Sequence, residues 1–193
     1  MKKIILITGG QRSGKSEYAE RLALSLSDNP VYLATAHVWD EEFRQRVVLH
    51  QERRGPQWTN IEEERLLSRH QLSGRVILID CLTLWLTNLW YAEKPESADH
   101  GDGSDNPISR GNGITQNRPH DPRTLETAKA EFDRFTSQDA TFIFVTNEIG
   151  CGGVSANAVQ RRFTDLMGWM NQYVASQADE VILMVSGIPV KIK

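Results

Sequence analysis

Long apolar runs are missing from the 193 residues, and with them any stretch able to cross a bilayer as a helix. Cysteine is nearly missing. Cys81 and Cys151 are too few for a disulfide framework and carry no metal-site spacing, so both are expected as reduced thiols. Blocks of one charge are missing as well: 22 basic against 25 acidic residues give a net charge of -3, with no basic tail or stripe of the kind that holds nucleic acid. Small anionic ligands stay open, since they need only a local positive site. The first residues run from two lysines into a short strand and a glycine loop, which is not the pattern of a secretion signal. The expectation is a soluble, cytoplasmic protein, and the length fits one domain over 1–193.

What the chain does have is Gly9-Gly10-Gln11-Arg12-Ser13-Gly14-Lys15-Ser16, placed between an apolar run and a helical pattern. Every fixed position of the phosphate-binding pattern G-x-x-x-x-G-K-[ST] is matched. A phosphate chain has to be wrapped by backbone N–H groups, and glycine permits the close approach and unusual dihedrals that this requires. Lys15 then reaches the β- and γ-phosphates, the Ser16 hydroxyl holds Mg²⁺, and the start of the following helix adds partial positive charge. The loop is expected to bind a nucleoside triphosphate.

The rest alternates between strands and helices. Lys3 to Thr8 reads as a central parallel strand, followed by a helix over 13–26 with Tyr18, Leu22 and Leu26 on one stripe. Val31 to Thr35 is a second strand. Asp40 is a plausible N-cap for a helix over 41–53 that carries Phe43, Val47 and His50 on one side. Trp58 to Leu67 reads as leading into a short acidic helix. Arg75 to Asp80 is a third strand, and the carboxylate at its end is in the position expected to assist Mg²⁺ in a P-loop protein, a plain acidic terminus being the alternative. A largely apolar helix runs over 82–91, another helix over 124–136, and a fourth strand over 141–146 delivers Asn147 and Glu148 at its carboxyl end, where ligands sit in open α/β sheets. Glu148 is a candidate for activating a hydroxyl or positioning magnesium, and equally a solvated loop acid. A long helix over 155–178 and a hairpin of 181–185 with 188–192 complete a three-layer α/β domain: a mostly parallel sheet with an antiparallel C-terminal hairpin.

Residues 93–123 break the pattern. Pro95, Pro107, Pro119 and Pro122 and four glycines lie there with almost nothing apolar, so the stretch is expected to be a flexible surface insertion. Asp99, Asp102 and Asp105 lack the spacing of a calcium loop.

Several stretches together resemble the bifunctional adenosylcobinamide kinase/adenosylcobinamide-phosphate guanylyltransferase family: ITGGQRSGKS, YLATA at 32–36, the RVVLHQERRGPQW run around His50, LIDCLTLWLTNL at 78–89, VTNEIG at 145–150, RRFTDLMGWMNQ at 161–172 and the terminal ADEVILMVSGIPVKIK. The resemblance implies a RecA-like P-loop fold, a homotrimer, and two linked reactions of cobalamin biosynthesis. A nucleoside triphosphate, ATP or GTP, phosphorylates adenosylcobinamide. GTP then forms a covalent GMP-histidine that passes GMP to adenosylcobinamide phosphate. The family's histidine falls on His50, and its nucleotide contacts fall on Gly9 to Ser16, on Ala34, Thr35 and Ala36, on Gln51, Glu52, Arg53 and Arg54, and on Glu62 and Asp80. Lys15 and Glu148 join His50 as candidate catalytic groups, and Ser16 and Asp80 as candidate metal ligands.

An imidazole is a competent nucleophile near neutral pH, and Arg53 and Arg54 lie one turn away to bind phosphate oxygens. Without the resemblance, His50 reads as a satisfied, half-buried histidine, and His37, just after the second strand, is a rival by position. Two other readings stay open on the residues alone: a small-metabolite kinase in which His50 is structural, and a nucleotide-responsive binding or assembly module.

Overall fold

The structure is a computed structural model and describes residues 1–37, 55–92 and 122–193. The helix expected over 41–53, His50, Gln51, Glu52, Arg53 and Arg54, and all but the last two residues of the expected insertion lie outside the described residues.

A seven-stranded sheet forms the middle layer: β1 (Lys3–Gly9), β2 (Val31–Ala34), β3 (Thr59–Glu62), β4 (Val76–Asp80), β5 (Thr141–Val145), β6 (Glu180–Val185) and β7 (Ile188–Lys191). Their spatial order is β3-β2-β4-β5-β1-β6-β7, and every pairing is parallel except β6 with β7. Strand β5 therefore stands between β1, which feeds the glycine loop, and β4, which ends in Asp80. The domain is an α/β domain whose mostly parallel sheet is closed by an antiparallel C-terminal hairpin. The helices are α1 (Lys15–Leu26), α2 (Leu82–Ala92), α3 (Pro122–Phe135) and α4 (Ala158–Gln177).

The continuous apolar runs of β1, β4 and β5 follow from burial on both faces, because alternate side chains point to opposite layers. Ile4 and Leu6 join Phe142, Phe144, Trp85, Phe132, Phe135, Met167 and Met170 beneath α2, α3 and α4. Ile5 and Ile7 join Leu78, Ile143 and Met184 beneath α1. The terminal hairpin turns through Ser186 and Gly187, both at positive φ (50° and 82°), as its twist demands.

Three expectations need correction. The stretch after Trp58 is no acidic helix: Thr59–Glu62 pairs in parallel with β2 as the sheet's edge strand, and a short 3-10 turn, Leu67–Arg69, comes later. A half-exposed edge strand is held by main-chain bonds and needs few apolar residues of its own, and Ile61 is the only aliphatic one in it. In α1 the buried stripe is Lys15, Ala19 and Ala23, whereas Tyr18 and Leu22 pack at its margin and Leu26 stands 46% exposed. Small residues let this helix lie close on the sheet. Finally, α3 starts at Pro122, inside the span read as insertion, since proline is well suited to a first helical turn.

Candidate active site

Strands β3, β2, β4, β5 and β1 run parallel, and their carboxyl ends carry those of the expected site residues that are described. Register sets Glu62, Ala34 and Asp80 side by side on β3, β2 and β4, and pairs Asp80 with Val145 on β5 and Val145 with Ile7 on β1. Glu148 follows β5 and donates its N–H to the Gly9 carbonyl at 3.0 Å, so it borders the glycine loop.

The loop itself is tightly built. Gly9, Arg12 and Gly14 have positive φ (150°, 60° and 90°), and Ser13 N–H turns back to the Gly10 carbonyl at 3.3 Å. A β-carbon on Gly9 would sit 2.5 Å from the Met184 carbonyl oxygen, and one on Gly14 would sit 3.3 Å from the Gly187 Cα. The glycines are thus required by the approach of strand β6 and the hairpin turn. Lys15 is buried, and its Nζ donates to the Gly10 carbonyl at 2.6 Å. Burial lowers its pKa below the ordinary 10.5, while Cys81 and the Asp80 carboxylate pull the other way. A phosphate group would supply the charge partner that this buried ammonium is short of.

Asp80 accepts a hydrogen bond from the Tyr32 hydroxyl at its Oδ2, 2.9 Å away. Its remaining oxygen and the Ser16 hydroxyl on the first turn of α1 are hard donors of the kind Mg²⁺ prefers, an ion that takes most other ligands from phosphates and water. Next to Asp80, the Cys81 thiol is fully buried, and its pKa is pushed up to about 12 by that burial and by Asp80, which keeps it protonated and inert. Cys151 is exposed and free.

Of the segment 34–36, Thr35 leaves no main-chain or side-chain polar group unused. Its hydroxyl donates to the Cys81 carbonyl (2.8 Å) and accepts from the Cys81 N–H (2.9 Å), its N–H donates to Asp80, and its carbonyl accepts from Asn88 Nδ2 at 2.8 Å. Thr35 acts as a tie between the ends of β2 and β4. On the other side, the Thr83 hydroxyl accepts from both nitrogens of Asn147 (3.1 and 3.2 Å), and Asn171 donates to the Asn147 carbonyl. Sequence reasoning singled out neither Thr83, Asn88 nor Glu64. Each finds its partner far along the chain, 64 residues away for Thr83 with Asn147, 53 for Asn88 with Thr35 and 27 for Glu64 with His37.

The sequence model of the family described as cobinamide kinase/cobinamide phosphate guanyltransferase matches residues 5–192. The chain belongs to this family. Its relatives include the bifunctional adenosylcobalamin biosynthesis protein CobP of Pseudomonas aeruginosa, 34% identical over 97% of this chain and 96% of that protein. The CobU proteins of Salmonella typhimurium and Escherichia coli, which bear the same descriptive name, are 36% and 34% identical over 98% of this chain and 99% of theirs. Among solved structures, the flagellar accessory protein FlaH of Methanocaldococcus jannaschii is similar at a TM-score of 0.45 and 14% identity, over 99% of this chain and 78% of that one. No helix among the described residues of this family member is long and apolar enough to cross a membrane.

Proposed function

We propose that the chain performs two successive transfers on one corrinoid substrate. Membership of the kinase/guanyltransferase family over nearly the whole chain is the observation that carries this reading. A nucleoside triphosphate, ATP or GTP, sits on Gly9 to Ser16, with Lys15 moving from the Gly10 carbonyl to the phosphates. The aminopropanol hydroxyl of adenosylcobinamide attacks the γ-phosphorus, and the nucleoside diphosphate leaves. Ser16 and Asp80 would hold the Mg²⁺ that travels with the nucleotide and neutralises its charge, and Glu148 would orient the metal's shell or the reacting hydroxyl.

In the second transfer a nitrogen of His50 attacks the α-phosphorus of GTP and expels pyrophosphate. An oxygen of adenosylcobinamide phosphate then attacks the same phosphorus, the N–P bond breaks, and adenosylcobinamide-GDP is released with the imidazole restored. Splitting the transfer uses a nucleophile that is also a good leaving group. Arg53 and Arg54 would neutralise the departing pyrophosphate, and Ala34, Ala36, Gln51, Glu52 and Glu62 would complete the nucleotide site around it. The enzyme would work in the cytoplasm as a homotrimer, without nucleic acid or membrane. Sedimentation of a stable monomer would contradict the trimer.

The test is to supply adenosylcobinamide, ATP, GTP and Mg²⁺ together and follow the corrinoid by mass spectrometry. The reading predicts that adenosylcobinamide phosphate appears first and adenosylcobinamide-GDP follows at its expense. A corrinoid that gains neither phosphate nor GMP would refute it.

A further inference from the structure

Tyr32, inside β2, is a buried tyrosine that neither transfer above uses. The residue is 4% exposed, and its hydroxyl donates to Asp80 Oδ2 at 2.9 Å. Register sets Tyr32 opposite Leu78 and Ala34 opposite Asp80, so donor and acceptor stand two residues apart along neighbouring strands. Tyr32 and Leu78 belong to the cluster beneath α1, and a side-chain period of two turns Asp80 towards the same layer as Leu78. In that layer α1 carries Ser16 on its first turn. We propose that Tyr32 is a positioning residue for the metal: it holds the Asp80 carboxylate by one oxygen, so that the other is presented to the Mg²⁺ of the bound nucleotide. This rests on the reading of Asp80 as a metal ligand given above, and adds the residue that aims it.

Tyr32 is the rigid member of the pair. Its ring packs edge-on against Trp58, with centroids 5.8 Å apart and planes at 81°, and Trp58 is itself only 7% exposed. The Trp58 N–H donates to the Gly55 carbonyl at 3.3 Å, and the next residue, Thr59, donates its N–H to the Pro30 carbonyl at 3.0 Å. Strand β2 runs between β3 and β4, which hold the Tyr32 backbone from both sides. A ring enclosed in this way cannot follow the carboxylate, so the carboxylate turns to meet the hydroxyl. An unrestrained aspartate at a strand end would have to be ordered each time an ion bound. Here that ordering is already done.

The donor is also neutral. A lysine or arginine in its place would fix the carboxylate but cancel its charge, whereas a phenol leaves the negative charge for a cation. Among the described residues, Tyr32 supplies the one side-chain hydrogen bond to Asp80, and no salt bridge reaches that carboxylate. Lys15 of the phosphate loop feels the Asp80 charge, which puts the carboxylate within electrostatic reach of the loop, yet its Nζ bonds to the Gly10 carbonyl instead. A buried tyrosine needs some acceptor for its hydroxyl, and a main-chain carbonyl would serve. The use of an otherwise unpaired carboxylate at the end of β4 is what ties Tyr32 to the ion, since carboxylates that ligate metals are themselves held by hydrogen bonds.

The experiment compares full-length wild-type protein, Tyr32→Phe, Asp80→Asn and the double variant, with the β,γ-imido analogue of ATP as the nucleotide. Calorimetry gives the dissociation constant of the analogue without metal. The electron paramagnetic resonance signal of free Mn²⁺, used in place of Mg²⁺, gives the affinity of the metal for the protein–nucleotide complex. Tyr32→Phe keeps the ring against Trp58 and is expected to bind the metal-free analogue within twofold of wild type, which also shows that it is folded. Its affinity for Mn²⁺ is expected to fall about tenfold. Asp80→Asn is expected to lose at least as much, and the double variant no more than Asp80→Asn, because Tyr32 acts only through that carboxylate. Wild-type Mn²⁺ affinity in Tyr32→Phe would overturn the proposal. So would an equal loss of analogue affinity with and without metal, or losses that add in the double variant, and in each case a weakened Asp80→Asn leaves Asp80 standing as a metal ligand. Unchanged Mn²⁺ affinity in Asp80→Asn would overturn the metal reading and the proposal together.

Discussion

Gly187 donates its backbone N–H to the Ser13 carbonyl at 3.0 Å, so the turn of the C-terminal hairpin is bonded to the phosphate loop at the opposite end of the chain. The contact explains why the loop's glycines are required by packing as well as by the ligand. It also means that the loop's shape depends on β6 and β7 being in place.

Gly9→Ala tests that dependence. The added carbon would meet the Met184 carbonyl oxygen at 2.5 Å and Ser13 Oγ at 2.9 Å, and the first of these is backbone that cannot swing aside. Urea denaturation should show a loss of about 2–3 kcal/mol, with nucleotide affinity down about 100-fold. Full stability in this variant would mean that β6 and the loop are not locked together.

Arg12 separates stability from binding. It holds φ at 60°, a region that costs a non-glycine residue about 1–2 kcal/mol. Arg12→Gly removes that cost and loses about 0.5–1 kcal/mol to chain entropy, so its melting temperature should equal or exceed that of wild type. Its affinity for ATP should fall about tenfold through the lost guanidinium. Calorimetry and titration together check both halves, and a destabilised Arg12→Gly would show that the side chain supports the fold.

Lys15 gives a pH dependence. Burial lowers its folded pKa below 10.5, so between the folded and unfolded values the unfolded chain binds more protons. Stability of the nucleotide-free protein should therefore rise as pH climbs through the lowered pKa towards 10.5. Lys15→Met should lack that rise, be no less stable at neutral pH, and lose phosphoryl transfer about 1000-fold. Parallel melting curves for the two proteins over this range would contradict the account of the buried ammonium.

Thr35→Val keeps the shape of a buried side chain and deletes a hydroxyl that serves both the N–H and the carbonyl of Cys81. Leaving a buried N–H unpaired should cost about 1–3 kcal/mol in denaturant titration, and phosphorylation should fall further than the loss of folded protein accounts for. Equal stability and activity would remove Thr35 from the frame of the site.

Particular residues show what the sequence made legible. The continuous runs of β1, β4 and β5, the Gly9 to Ser16 pattern and the positive-φ turn at Ser186 and Gly187 are local signals, because burial on both faces or a tight turn leaves its mark on adjacent residues. Strand β3 left no such mark: Thr59, Asn60, Ile61 and Glu62 form a strand because β2 offers them a hydrogen-bonding edge. The meeting of His37 Nδ1 with Glu64 Oε1 at 2.7 Å was equally silent, since the two lie 27 residues apart in sequence. In α1 the periodicity was legible and the buried face was misjudged, because close approach to the sheet selects Ala19 and Ala23 over larger residues.

The most direct test of the central claim is covalent attachment. The protein and its His50→Ala variant are incubated with Mg²⁺ and GTP labelled at the α-phosphate, denatured, and assayed for label on the polypeptide. A GMP-histidine predicts label that is retained by the wild type, stable to alkali, labile to acid, and absent from the variant. A wild-type protein that phosphorylates adenosylcobinamide yet retains no label, or a His50→Ala variant labelled to the same extent, would contradict it.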